Sequence, residues 1–167
     1  MNGIFLNLAN MLRLRGGPQH FPASWPFVII LVTAFLLQNL ITGQRLEDEN
    51  AAAKSLVAIG LQIIVLSGLL YWRRRTERFT QTLSALIAVG IVFNTITWTL
   101  LTQSDPEMNQ PVLALIWFSV FIWSLFVDAN IYRRSLSVNL SIGMLITVLT
   151  LAVSYVSIEL LFLANNN

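Results

Sequence analysis

Five stretches of the chain, at residues 26–42, 52–72, 80–102, 111–132 and 136–163, are almost wholly apolar, and clusters of charge, proline, glycine or asparagine bound them. A helix rises 1.5 Å per residue and needs about 20 residues to cross a hydrocarbon layer about 30 Å thick. The first stretch has 17 residues and the last 28. Local thinning of the bilayer accommodates a short span, and tilting or protrusion accommodates a long one. The runs are apolar around the whole helical circumference, without the polar stripe of a helix that faces water. Barrel strands would alternate over roughly ten residues, and these runs do not. The expected fold is an all-α membrane protein, a five-transmembrane-helix bundle.

Composition excludes the soluble alternatives. A soluble domain of this length would carry about 42 charged residues, roughly a quarter of the chain. This chain has ten lysines and arginines and eight aspartates and glutamates in 167 residues, too few to cover a surface in water. The absence of cysteine rules out disulfides, thiolate metal sites and cysteine nucleophiles. A single histidine, His20, argues against a histidine metal site or a two-histidine haem. There is no phosphate-binding glycine loop, HExxH or GxSxG motif with plausible partners. The expectation is a chain that is not an enzyme, with no cofactor, no metal and no nucleic-acid partner.

Orientation follows from the flanking charges. Arg13 and Arg15 precede the first span; Arg73, Arg74, Arg75 and Arg78 join the second to the third; Arg133 and Arg134 join the fourth to the fifth. Those alternate segments hold eight basic residues, against two, Arg45 and Lys54, on the other side. The positive-inside rule puts the richer side in the cytoplasm, hence the N-terminus inside and the C-terminus outside. Trp25, Tyr71, Trp72 and Tyr132 fall at the inner edges and Trp98 and Tyr155 near the outer ones, as expected of interfacial aromatic rings. Pro26 and Pro111 suit first helical turns, and Gly43 suits a C-terminal cap of the first span.

Residues 1–25 read as a cytoplasmic amphipathic helix and a proline-rich connector, residues 26–163 as the transmembrane domain and 164–167 as a short outer tail. Arg13 and Arg15 follow the apolar residues rather than precede them, which is the reverse of a signal peptide. Ile4, Phe5, Leu8, Met11 and Leu12 share one helical face, expected to lie on the inner leaflet and to end at Gly16-Gly17. The other reading is a tail packed on the bundle. Pro18, Pro22 and Pro26 predict a stiff extended connector.

Polar groups in hydrocarbon are costly and each invites a functional reading. Asp128, near the inner end of the fourth span, could relay protons or grip a cation. A salt bridge to Arg133, Arg134 or the arginines of residues 73–78 is the more ordinary reading, with the interface about one turn away. Glu159, late in the fifth span, reads better as a carboxylate emerging into the outer headgroups. Asn94, followed by Thr95, Thr97 and Thr99, and Gln62 sit mid-span, where interhelical hydrogen bonds of about 0.6–2 kcal/mol explain them. Gln38 and Asn39 are similarly unspecific, and Ser84 with Ala88 forms a small-xxx-small pair. Phe118, Phe121, Trp123 and Phe126 could line a quinone or lipid-tail site, but central packing or contact with acyl chains is the commoner use of such rings. Arg13, Arg15, Arg73, Arg74, Arg75, Arg78, Arg133 and Arg134 together make an inner-face basic patch able to bind anionic lipid or a partner, at about 1 kcal/mol per residue.

The amphipathic N-terminus, the stretch RGGPQHFPASWP at residues 15–26 and the five compact spans resemble small proteobacterial inner-membrane proteins of unassigned role, some of which look like the five-span Yip1 family. Eukaryotic Yip1 members bind small GTPases through a cytoplasmic region longer than the segment seen here. The resemblance therefore implies an architecture and a bacterial inner-membrane address, and no functional residue. The expected role is a non-enzymatic accessory or scaffold acting through helix–helix and lipid contacts, with a membrane-protein partner or a second copy. The alternative is a small oligomeric transporter or channel with Asp128, Asn94 or Gln62 lining the path.

Overall fold

A computed structural model describes residues 2–46, 50–104 and 110–163. Glu47, Asp48, Glu49, Asp105, Glu107 and the tail 164–167 lie outside them. The described residues form α1 (Asn2–Leu12), α2 (Trp25–Arg45), α3 (Ala51–Trp72), α4 (Phe79–Gln103), α5 (Pro111–Leu136) and α6 (Leu140–Leu163), with short 3-10 turns at Pro18–His20 and Thr76–Arg78. Helices α2 to α6 are the five long and apolar enough to cross a membrane. Pro26 and Pro111 do occupy first turns.

The helix ends depart from the expected ones for local reasons. α2 runs through Gly43 to Arg45, and Leu46 caps it, so Gly43 is an interior residue. α5 continues to Leu136, which puts Arg133 and Arg134 in its last turn rather than in a loop. Ser137 then turns left-handed (φ 51°, ψ 53°), and the Asn139 side-chain oxygen accepts the Ile142 N–H at 2.9 Å. That is an N-cap, and it delays the start of α6 to Leu140. The apolar letters around Leu136 and Val138 hid this turn. Beyond the end of α1, Leu14 turns left-handed (φ 62°), and the Arg15 and Gly16 N–H groups both bond the Asn10 carbonyl at 2.8 and 2.9 Å. Gly16 is needed for close approach instead: a Cβ there would lie 3.0 Å from the Met11 nitrogen. A left-handed L-residue costs about 1–2 kcal/mol. Ser137→Gly is therefore expected to raise stability by up to about 1 kcal/mol, read as an upward shift of the thermal midpoint in detergent.

α4 is the central helix, touching α2, α3, α5 and the N-terminal segment. Its residues Thr82 to Val89 are all buried, which places Ser84 and Ala88 at close helix contacts. Gln38 ties α2 to α4, its side-chain nitrogen donating to the Thr95 hydroxyl at 2.8 Å and the Ile91 carbonyl at 3.1 Å. α5 and α6 form a hairpin whose closest point is Gly143. A Cβ there would overlap the Ala129 carbonyl oxygen and sit 3.2 Å from its carbon and 3.3 Å from the Arg133 nitrogen.

The N-terminal segment forms the expected helix, and that helix is packed against this bundle. Met11 is fully buried, Ile4, Leu8 and Leu12 pack on the core, and Phe5 and Leu6 point outward. The Trp123 indole N–H donates to the Leu12 carbonyl at 3.0 Å, and the Asn130 amide to the Gly16 carbonyl at 3.3 Å. The connector is not extended throughout: residues Pro18–His20 form a 3-10 turn, and Pro18 and Phe21 are buried.

Candidate functional site

Asp128 faces a pocket of about 450 Å³ lined from α3 by Ala58 and Gln62, from α4 by Leu86, from α5 by Asp128 and Tyr132, and from α6 by Thr147, Thr150, Leu151, Ser154 and Tyr155. The helices bring these residues to one level because α5 and α6 run antiparallel and α3 packs against both. Asp128 lies eight residues before the end of α5, about 12 Å along the axis. That is deeper than the single turn expected from the sequence.

The salt-bridge reading of Asp128 is overturned. The carboxylate makes no ion pair or hydrogen bond with any described residue: Arg134 and Arg78 are engaged elsewhere, and Arg73, Arg74 and Arg133 are exposed. Arg134 donates to the carbonyls of Leu14 and Arg15, each at 3.4 Å, and to the Asn130 side-chain oxygen at 3.4 Å. Arg78 donates to the Arg134 carbonyl at 3.3 Å and lies 3.9 Å from Glu77. An uncompensated acid at the centre of a membrane helix costs about 2.5–3.5 kcal/mol on insertion scales.

Tyr132 is the second departure. Expected at the interface, it is 2% exposed, and its buried hydroxyl has the Thr150 hydroxyl as its neighbour. The neighbouring Thr150 hydroxyl donates to the Ile146 carbonyl at 2.8 Å, and that of Thr147 to the Gly143 carbonyl at 3.0 Å. Both residues line the pocket. Trp25, Tyr71, Trp72 and Tyr155 are exposed.

Asn94 does not join this site. It lies in a separate groove of about 530 Å³ with Phe93, Thr97, Trp117, Phe118 and Phe121. Phe118 and Phe121 are exposed on the outside of α5, so these rings do not pack centrally. Trp123 meets Phe93 edge-on at 5.1 Å. Glu159 is exposed on the last turns of α6 and belongs to neither pocket. Among the described residues no group of three or more His, Cys, Asp or Glu could hold a metal ion.

The basic patch divides into two sets. Arg13, Arg15, Arg73, Arg74 and Arg133 are exposed and Arg75 partly so, whereas Arg78 and Arg134 spend their donors on backbone carbonyls. Sequence reasoning missed Tyr132, Thr147, Thr150 and Ser154. The signals were present: Tyr132 is four residues after Asp128, and the three hydroxyls fall at i, i+3 and i+7, one face of α6. Comparison with family models, curated proteins and solved structures finds no match to this chain.

Proposed function

We propose that this chain is a non-enzymatic accessory or scaffold protein of a bacterial inner membrane, Yip1-like in architecture, with its N-terminus in the cytoplasm and its C-terminus in the periplasm. Its working surface is the arginine-bearing end, which meets anionic lipid headgroups and a membrane-protein partner or second copy. One observation carries this reading. The N-terminal segment packs on α4 and α5, and Arg13, Arg15, Arg73, Arg74 and Arg133 are exposed.

Changing Arg73, Arg74 and Arg75 together to Gln is expected to lower retention of anionic lipid by more than about tenfold, at about 1 kcal/mol per arginine. Lipid co-purification in mild detergent measures it, with partner recovery scored in the same preparation. Unchanged lipid and partner recovery would remove the surface from function. Topology reporters fused to the two ends test the threading; both ends on one side would refute it. The alternative, an oligomeric transporter or channel, draws support from Gln62 and Asp128 facing one pocket. Asn94 lines the other groove, which shares Leu151 with that pocket.

A further inference from the structure

The pocket beside Asp128 offers a carboxylate with no described counter-charge, a buried tyrosine side chain and an opening on the flank of the bundle. Leu151 and Tyr155, both lining residues, are 46% and 66% exposed, on a helix whose outer surface faces hydrocarbon. A ligand reaching this mouth arrives from the bilayer and has to be lipophilic. A ligand that pairs with the Asp128 carboxylate brings positive charge.

We propose that this pocket binds a lipophilic organic cation, an ammonium group carried on a hydrocarbon or aromatic body, with Asp128 as its counter-charge. The ammonium N–H groups would donate to the carboxylate, to the Gln62 side-chain oxygen and to the hydroxyl oxygens of Thr147 or Thr150, all facing the same space. The Tyr155 ring at the rim supplies an aromatic face of the kind that attracts such a cation. Ala58, Leu86 and Leu151 supply the apolar wall for its body. The volume of about 450 Å³ falls in the range of small-molecule sites, about 300–1,000 Å³.

Other occupants fit less well. A bare divalent ion asks for six or more oxygen ligands, and the pocket has one carboxylate and no acidic or histidine cluster. A neutral lipophile would leave the carboxylate unpaired. The inference requires binding and not flux, so it stands apart from both readings of the protein's role.

Equilibrium dialysis of the full chain in lipid nanodiscs, corrected by empty nanodiscs, tests it with two probes of one shape: radiolabelled phenethylammonium and its neutral isostere propylbenzene. Saturable ammonium binding is expected, weakened at least about tenfold by Asp128→Asn and about threefold by Gln62→Leu. Propylbenzene is expected to show no dependence on Asp128. Absence of saturable ammonium binding overturns the proposal. So does ammonium binding indifferent to Asp128→Asn, or propylbenzene competing equally. Monodisperse elution checks that each variant is folded. If Asp128→Asn fails that check, Tyr155→Ala at the exposed rim replaces it, with a severalfold loss expected and an unchanged affinity overturning the site.

Discussion

Gly143→Val is expected to destroy the tight α5–α6 hairpin, with a loss of about 3 kcal/mol, at the upper end of what overpacking costs. The added Cβ would overlap the Ala129 carbonyl oxygen and crowd the Arg133 nitrogen. All of these neighbours are backbone, so no rotamer change relieves the clash. In a membrane, where burying apolar side chains gives no advantage over lipid, helices associate through close packing of small residues. A change that holds α5 and α6 apart therefore removes a principal source of their association. Reversible unfolding in mixed micelles measures the loss. Gly60→Ala and Gly68→Ala provide the contrast, because a Cβ at either position meets nothing within 4 Å. They should cost nothing and gain up to about 1 kcal/mol of helix propensity. Equal destabilisation by all three would show that the α5–α6 approach is not special.

Arg134→Ala combined with Trp123→Phe is expected to release the N-terminal segment from the bundle. Arg134 donates to the Leu14 and Arg15 carbonyls and to Asn130 at 3.4 Å, long bonds on a half-buried side chain. Each is worth at most about 1 kcal/mol. The Trp123 bond to the Leu12 carbonyl is shorter, at 3.0 Å, and contributes about 1 kcal/mol more. Together they hold the segment by about 2–3 kcal/mol, so amide exchange in α1 should accelerate roughly 30- to 150-fold. Exchange elsewhere in α4 and α6 should stay as it was. Unchanged exchange in α1 would mean that Met11 and Phe21, both buried, hold the segment by apolar packing alone.

The arginines show how far one-dimensional reasoning carries. All eight placed on the cytoplasmic side were visible as letters, and their alternation with the apolar runs agreed with five spans. Nothing in the letters separated Arg134, whose guanidinium holds the chain's own carbonyls, from Arg133, which is exposed. Residues 133 and 134 are adjacent and lie about 100° apart around one helix. Which of them faces the N-terminal segment depends on the roll of α5 against its neighbours. Asp128 is similar. A carboxylate within an apolar run drew attention at once, but its expected arginine partners were assigned by proximity in sequence, and in the fold Arg78 and Arg134 are engaged elsewhere and Arg133 is exposed.

Span number and approximate length are thickness-matching properties of a chain in lipid, local to each run, and they could be read without coordinates. Tertiary structure decided which polar groups share a space: Gln62 of α3, Asp128 and Tyr132 of α5 and Thr147, Thr150 and Ser154 of α6 come together, and Asn94 of α4 does not. The reason is geometric. A helix that is apolar almost all round carries little periodic signal to say which way it faces. Its orientation is selected by contacts such as Gly143 against Ala129, which exist only once the helices cross.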